Sequence, residues 1–210
     1  RFASHRIDHG RLAMDYLSKQ KSRPQGIECF LPRVAAVPAD VGGADPAERE
    51  IDLSFLGGGT EMSNSLFISY AVGPGEGLCL PALPSRPSSN HRTGYIIRYI
   101  HHGDGANEVK FYRNDTGWAA ELKNGSSLPS NPVSTLRRTV IRHRKDGKHV
   151  IVATFDTGSA FDRTFTFDDD AYPPGALQRS LQVIAKGHAD VGAELQIVMD
   201  TWIVQDRILP

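Results

Sequence analysis

A cluster of charged and phenolic side chains around residues 98–112 could bind and process an anion. Arg98 precedes a three-residue loop that ends in glycine, residues 103–105, and Lys110 and Tyr112 follow it. A loop of this kind joins two antiparallel strands, and its register places Arg98 directly opposite Lys110. Like charges in opposite positions destabilise a sheet, so the pair needs either wide solvent exposure or an anion between its members. The pattern predicts an anion-binding site, with a solvated polar face as the alternative.

The two faces of this predicted hairpin differ in chemistry, because side chains alternate along a strand. One face carries Arg98, His102, Glu108, Lys110 and Tyr112. The other face carries Tyr95, Ile97, Tyr99, Val109 and Phe111, which are typical of a hydrophobic core. A register shift of one residue would move Arg98 away from Lys110 and Tyr112.

The chemistry that such a face could perform is β-elimination on a uronic acid. Arg98 and Lys110 would hold the carboxylate, with the arginine acting as a bidentate fork. Neutralising that carboxylate makes the adjacent C–H bond more acidic, because the enolate-like charge is stabilised. A base then removes the proton and an acid protonates the leaving oxygen. Cations beside Tyr112 would stabilise its phenolate, and the candidate acid–base groups are Tyr112, His91, His101 and His102.

The elements that must position these residues are short strands separated by Gly, Pro, Asn or Asp. We predict strands at 51–56, 65–72, 94–102, 108–114, 136–143, 149–156, 160–167, 180–187 and 194–204, and one short helix at 10–19. An Asp-Gly pair at 146–147 predicts a second hairpin. Many short strands with turn signals between them predict an all-β sandwich, barrel or jelly roll, here as a single domain over residues 1–210.

Charge balance limits the classes of partner. The 210 residues contain 24 Lys and Arg against 24 Asp and Glu, which gives a formal net charge of zero. Nucleic-acid binders carry a basic excess, and so do proteins held at a membrane surface by polybasic patches. No segment reaches the roughly 18 apolar residues of a membrane span. We therefore expect neither nucleic acid nor membrane as a partner.

Several smaller features remain open in the sequence. Cys29 and Cys79 either pair or stay apart. Two Asn-X-Thr/Ser tripeptides, at Asn114 and Asn124, fit the glycosylation pattern and favour secretion. The acidic run 168–170 is either a structural Ca²⁺ loop or a solvated turn. No redox or organic cofactor is implied, and we assign no residue as a metal ligand.

The alternating residues Glu50, Asp52 and Ser54, with Glu48 just before them, resemble the Glu-x-Asp-x-Glu strand of family 16 glycoside hydrolases, which are also jelly rolls. Retaining hydrolysis needs two carboxyl groups about 5–5.5 Å apart. Ser54 stands where that family has its second glutamate. A charged strand edge after Pro46 is the alternative interpretation.

Residues 76–83 (Glu-Gly-Leu-Cys-Leu-Pro-Ala-Leu), 94–98 and 103–112 resemble consecutive segments of polysaccharide lyase family 14. That resemblance implies a concanavalin A-like β-jelly roll that cleaves alginate or glucuronan. Arg98 falls on the family's arginine, and Tyr112 falls on the second tyrosine of its Tyr-x-Tyr. Lys110 replaces the first tyrosine, Cys79 replaces a lysine, and His101-His102 replaces Trp-Arg.

From these residues and this resemblance, we predict a secreted polysaccharide lyase acting on an acidic polysaccharide or oligosaccharide. The catalytic candidates are Tyr112, Arg98, Lys110, His101 and His102, and the substrate-binding candidates are Glu108, His91, Arg92 and Cys79. Two alternatives stay open: a lectin-like domain that binds carbohydrate without cleaving it, and a family 16-like glycoside hydrolase.

Overall fold

The structure is a computed structural model that describes 14 segments of the chain. They are residues 2–8, 11–17, 25–30, 48–55, 65–73, 79–81, 92–102, 107–115, 118–125, 128–156, 158–174, 180–189, 194–199 and 202–209.

These segments form an all-β fold, as the sequence predicts. The strands are β1 (Phe2–Asp8), β2 (Arg11–Leu17), β3 (Gln25–Phe30), β4 (Glu48–Phe55), β5 (Ser65–Val72), β6 (Gly94–Ile100), β7 (Glu108–Asp115), β8 (Trp118–Gly125), β9 (Leu136–Arg144), β10 (Lys148–Phe155), β11 (Arg163–Asp168), β12 (Ser180–Ala189), β13 (Glu194–Met199) and β14 (Trp202–Leu209). A short 3-10 turn covers Ser159–Phe161.

The strands pair antiparallel in three sheets. A six-stranded sheet has the order β3-β12-β5-β6-β7-β8, and a five-stranded sheet has the order β11-β10-β9-β4-β14. A third sheet consists of β1-β2-β13. Within the described residues, no helix is long and apolar enough to cross a membrane.

The core lies between the six- and five-stranded sheets. Alternate residues of β9 and β10 are buried, which is the pattern of strands with one face on a core and one face toward solvent. The largest fully buried side chains include Tyr70, Tyr95, Tyr99 and Phe111 on the six-stranded sheet. All five residues predicted for the inner face of the β6–β7 hairpin belong to this core cluster.

The predicted register of the β6–β7 hairpin is confirmed. Arg98 pairs with Lys110, Ile96 with Tyr112, and Ile100 with Glu108. The Asp-Gly hairpin between β9 and β10 is also present. Gly147 there adopts φ +83°, a left-handed conformation that favours glycine.

The predicted helix at 10–19 is wrong, because Arg11–Leu17 is strand β2. This stretch is too short to form a stable helix by itself, and β2 pairs with β1 on one side and β13 on the other. Its apolar residues Leu12, Met14 and Tyr16 also recur at every second position, which suits a strand.

Other boundaries differ from the predicted ones. The single strand predicted at 194–204 is two strands, β13 and β14, which belong to different sheets. The start of the strand predicted at 160–167 is the 3-10 turn. Strands β1, β3 and β8 have no counterpart among the predicted strands.

One end of the sandwich is closed by the residues that follow β11. The Asp169 carboxylate accepts a hydrogen bond from the Tyr95 hydroxyl at 2.7 Å and pairs with Arg113, and both partners lie on the six-stranded sheet. The main-chain oxygen of Asp169 accepts a hydrogen bond from Nε2 of His149, on the five-stranded sheet, at 2.8 Å. Asp169 therefore joins the two sheets, and its side chain is only 7% exposed.

His149 is held neutral in this cluster. It is fully buried and stacked between His143 and Phe167, with both ring centroids 4.3 Å away. With Nε2–H donating to Asp169, Nδ1 accepts a hydrogen bond from the Tyr70 hydroxyl at 3.0 Å. Burial lowers the pKa of His149, and the neighbouring carboxylates oppose that effect only in part.

Candidate functional site

The face of the six-stranded sheet that points away from the core, here called the outer face, carries the predicted constellation. Arg98 and Lys110 lie directly opposite each other on it, and Tyr112 lies two residues beyond Lys110 on β7. Tyr112 is diagonal to Arg98, a relation that corresponds to a separation of about 7–8 Å across a sheet. All three side chains are half-buried, so they are open to solvent in part. The strands thus bring together the three residues that the sequence predicts as a cluster.

Arg98 is oriented by strand β5. Its Nε and Nη2 groups donate hydrogen bonds to the hydroxyl of Ser65 at 3.2 and 3.0 Å. Its guanidinium carbon lies 5.1 Å from the centroid of the Phe67 ring, in a cation–π contact. Among the residues that the structure describes, no carboxylate pairs with Arg98. Its positive charge is therefore not compensated by those neighbours.

Lys110 has a different environment. Its ammonium lies 3.3 Å from a carboxylate oxygen of Glu108 and 3.5 Å from one of Glu121. Burial lowers the pKa of Lys110, but the nearby carboxylates of Glu108 and Glu121 more than offset this effect, so the pKa is raised. Lys110 stays protonated, and two carboxylates already neutralise it. The repulsion expected between Arg98 and Lys110 is thus relieved by the protein itself.

Tyr112 places a phenol beside an apolar cluster on the outer face. Its ring packs against a small apolar cluster on the outer face that includes Phe67, Ile96 and Cys79. It lies two residues beyond Lys110 on the same face of β7. Such a phenol can donate a hydrogen bond to a ligand while its ring contacts the ligand's apolar surface.

The predicted histidines do not join this cluster. His101 contacts Asn107 at 3.1 Å, and Nε2 of His102 lies 4.0 Å from Glu108. Tyr112 pairs with Ile96, and His102 follows Ile96 by six residues, which corresponds to about 20 Å of extended chain. This separation is too large for His102 and Tyr112 to act on one bond of a bound sugar. His91 lies outside the described residues.

Arg92 and Cys79 lie beneath the surface. Arg92 is 5% exposed, and its Nε donates to the main-chain oxygen of Gly73 at 2.7 Å. Cys79 is a fully buried thiol, and its burial raises its pKa to about 12. The side chain of Cys29, its possible disulfide partner, is not among the described side chains. Direct contact of Arg92 or Cys79 with a substrate is not supported by this placement.

The carboxylates of β4 lie on the other sheet. Asp52 forms a two-point ion pair with Arg138, at 2.9 and 2.6 Å, and Glu50 pairs with Arg142 at 2.9 Å. These pairs lie on the solvent side of the five-stranded sheet, away from Arg98. Their geometry is that of cross-strand ion pairs on a charged strand surface, which is the alternative to a hydrolase site.

The acidic run 168–170 is divided between two environments. Asp169 is committed to the hydrogen bonds described above, whereas Asp168 and Asp170 are exposed. No group of residues suited to bind a metal ion occurs in the part of the chain that the structure describes.

Glu121 and Ser65 are the site residues that sequence reasoning missed. Glu121 lies on β8, whose sequence Trp-Ala-Ala-Glu-Leu lacks a strand pattern. Ser65 lies in a predicted strand, but its contact with Arg98 spans 33 positions of sequence. The signal that could have found Ser65 is the pairing of β5 with β6, because its register places Ser65 near Arg98.

Comparisons with known proteins establish the fold class. No protein-family model matches the chain, and no curated protein matches it. Among solved structures, the seed lectin of Lotus tetragonolobus is 13% identical, with a TM-score of 0.57 and coverage of 100% of this chain and 93% of that chain. Lectin UEA-II, complexed with galactose, is 14% identical, with a TM-score of 0.54 and coverage of 98% and 91%.

The alginate lyase Aly36B also matches, at 10% identity over 98% of this chain and 84% of that chain. Its TM-score is 0.46. The likeness to the two lectins defines a concanavalin A-like β-sandwich, which confirms the predicted fold class. This likeness shows the fold alone, because one fold carries many functions.

Proposed function

We propose that this protein binds an acidic saccharide on the outer face of the six-stranded sheet, with Arg98 holding the saccharide's carboxylate. The observation that carries the proposal is the charge arrangement. Lys110 is neutralised by Glu108 and Glu121, whereas Arg98 contacts only a hydroxyl and an aromatic ring among the described residues. A carboxylate is the natural partner of such a guanidinium.

Tyr112 supports a saccharide as the class of ligand. Its half-buried ring lies diagonal to Arg98, so a sugar ring that places its carboxylate on Arg98 can rest against the phenol. Lys110 and its two carboxylates add donors and acceptors for sugar hydroxyls. The sandwich fold shared with lectins, one of which was solved with galactose, agrees with this class of ligand.

A uronan lyase is the second candidate function, and the placement of Tyr112 diagonal to Arg98 and two residues beyond Lys110 favours it. In that reaction Arg98 neutralises the carboxylate, the C–H bond beside it breaks, and its electrons form a C=C bond as the glycosidic C–O bond breaks. The leaving oxygen takes a proton. Because none of the described histidines lies beside Tyr112, Tyr112 itself would remove the proton from carbon and then deliver it to the leaving oxygen.

Titration calorimetry with oligoglucuronate, together with ultraviolet absorbance of the unsaturated product, tests both functions. Arg98→Ala should weaken binding about 10- to 100-fold, the usual effect of losing hydrogen bonds to a charged group. Arg142→Ala is the matched control, because it removes the same charge from the other sheet. Equal effects of the two substitutions would contradict the proposal.

The same assay separates the lyase from the lectin-like domain. If the protein is a lyase, the wild type produces the absorbing product, and Tyr112→Phe abolishes it while largely preserving affinity. Binding without product by the wild type identifies the lectin-like function.

A further inference from the structure

Ser65 occupies one particular edge of the Arg98 guanidinium. An arginine has five N–H groups in a rigid plane, and they form two edges that can grip an oxygen pair. The side edge consists of Nε and one Nη2 hydrogen, and both of these groups donate to the Ser65 hydroxyl oxygen. The end edge, formed by Nη1 and the second Nη2 hydrogen, makes no hydrogen bond or ion pair with the described residues.

Phe67 fixes the plane of the same guanidinium. Phe67 is the strand partner of Arg98 on β5, and its ring lies 5.1 Å from the guanidinium carbon. Both Ser65 and Phe67 are buried, at 2% and 4% exposure, so neither offers the arginine a mobile support. The hydroxyl and the ring together restrict the rotamers of a side chain that is otherwise long and flexible.

We propose that Ser65 is a positioning residue that turns the end edge of Arg98 toward the ligand, and that the domain therefore selects a planar carboxylate bound through two parallel hydrogen bonds. This inference rests on the proposed function of the outer face. A carboxylate matches the spacing of Nη1 and Nη2, whereas the hydroxymethyl group of a neutral sugar has one oxygen and no charge. Ser65 acts only through Arg98 and does not touch the ligand.

The test compares affinity for oligoglucuronate with affinity for the same oligosaccharide after its carboxyl groups are reduced to hydroxymethyl groups. Ser65→Ala should lower the ratio of the two affinities about five- to tenfold, the effect of losing one ordinary hydrogen bond. Affinity for the reduced, neutral oligosaccharide should change little. A general structural defect would instead weaken both ligands together.

Ser69→Ala is the matched control. Ser69 is a buried serine on the same face of β5, but its hydroxyl donates to the main-chain oxygen of Cys79 and not to Arg98. This variant should keep the wild-type ratio. Should Ser65→Ala fail to fold, Phe67→Leu provides a second route, because it removes the cation–π contact while keeping an apolar side chain, and it should also lower the ratio.

Two outcomes would overturn the inference. A wild type that prefers the carboxylate, with the same preference in folded Ser65→Ala, refutes the role of Ser65 and leaves the proposed function standing. Should Ser65→Ala fail to fold, the same preference in Phe67→Leu refutes the positioning of Arg98 by β5. A wild type that binds neither oligosaccharide, or binds both equally, refutes the proposed function and this inference with it.

Discussion

Replacement of Asp169 by alanine should destabilise the sandwich far more than replacement of either neighbouring aspartate. Asp169 accepts the Tyr95 hydroxyl and pairs with Arg113. Asp168 and Asp170 are exposed. The acidic run thus contains its own two controls, because the three substitutions remove the same chemical group from adjacent positions.

The magnitude follows from the two interactions that the Asp169 carboxylate makes with the six-stranded sheet. In the variant, the Tyr95 hydroxyl has no partner for its 2.7 Å hydrogen bond to a charged acceptor, an interaction that contributes about 1.5–3 kcal/mol. Arg113 is 25% exposed, so its ion pair contributes at most about 1 kcal/mol. The sum is about 3 kcal/mol, which corresponds to a fall in Tm of about 6–12 °C for a chain of this length. Asp168→Ala and Asp170→Ala should each stay within about 0.5 kcal/mol of the wild type.

Denaturant unfolding followed by circular dichroism measures the free energy of unfolding of all four proteins. Calcium should be present in one series and a chelator in the other, because a cation bound by the acidic run would make the differences depend on calcium. If Asp169→Ala unfolds together with the two control variants, the proposed link between the sheets through Asp169 is refuted.

Three further outcomes are expected. Burial lowers the pKa of His149, so the unfolded chain, with a histidine pKa near 6.5, binds the proton more readily than the folded chain. The contribution of His149 to stability should therefore be complete above about pH 6.5 and decline as the pH falls through the lower folded-state pKa. Denaturation at a series of pH values should show a shallower decline in His149→Gln than in the wild type. Burial raises the pKa of Cys79 to about 12, so in a Cys29→Ser background a thiol reagent should modify it only after unfolding. Asn114 is fully buried and donates to the main-chain oxygens of Leu80 and Arg92, so mass spectrometry should find it without a glycan after expression in a secretory host.

The β6–β7 hairpin shows what local sequence can determine. The three-residue loop sets the register of its own flanking strands, so the positions of Arg98, Lys110 and Tyr112 relative to one another could be predicted. The alternation of apolar and polar residues likewise indicated which face meets the core.

The environment of these residues could not be predicted, because it depends on pairing between distant segments. Glu121 neutralises Lys110 from β8. The residues of β8 favour a helix, so its strand structure depends on pairing with β7. Asp169 meets Tyr95 from 74 positions away. The sequence therefore indicated that Arg98 and Lys110 both needed an anion. In the fold, Lys110 has two carboxylates beside it, whereas Arg98 has none among the described residues.

The most direct test of the central claim is a structure of this protein with a bound acidic oligosaccharide. The account predicts both oxygens of one carboxylate about 2.7–2.9 Å from Nη1 and Nη2 of Arg98, with the same sugar ring against Tyr112. A saccharide bound on the five-stranded sheet, or bound on the outer face with its carboxylates directed away from Arg98, would contradict it.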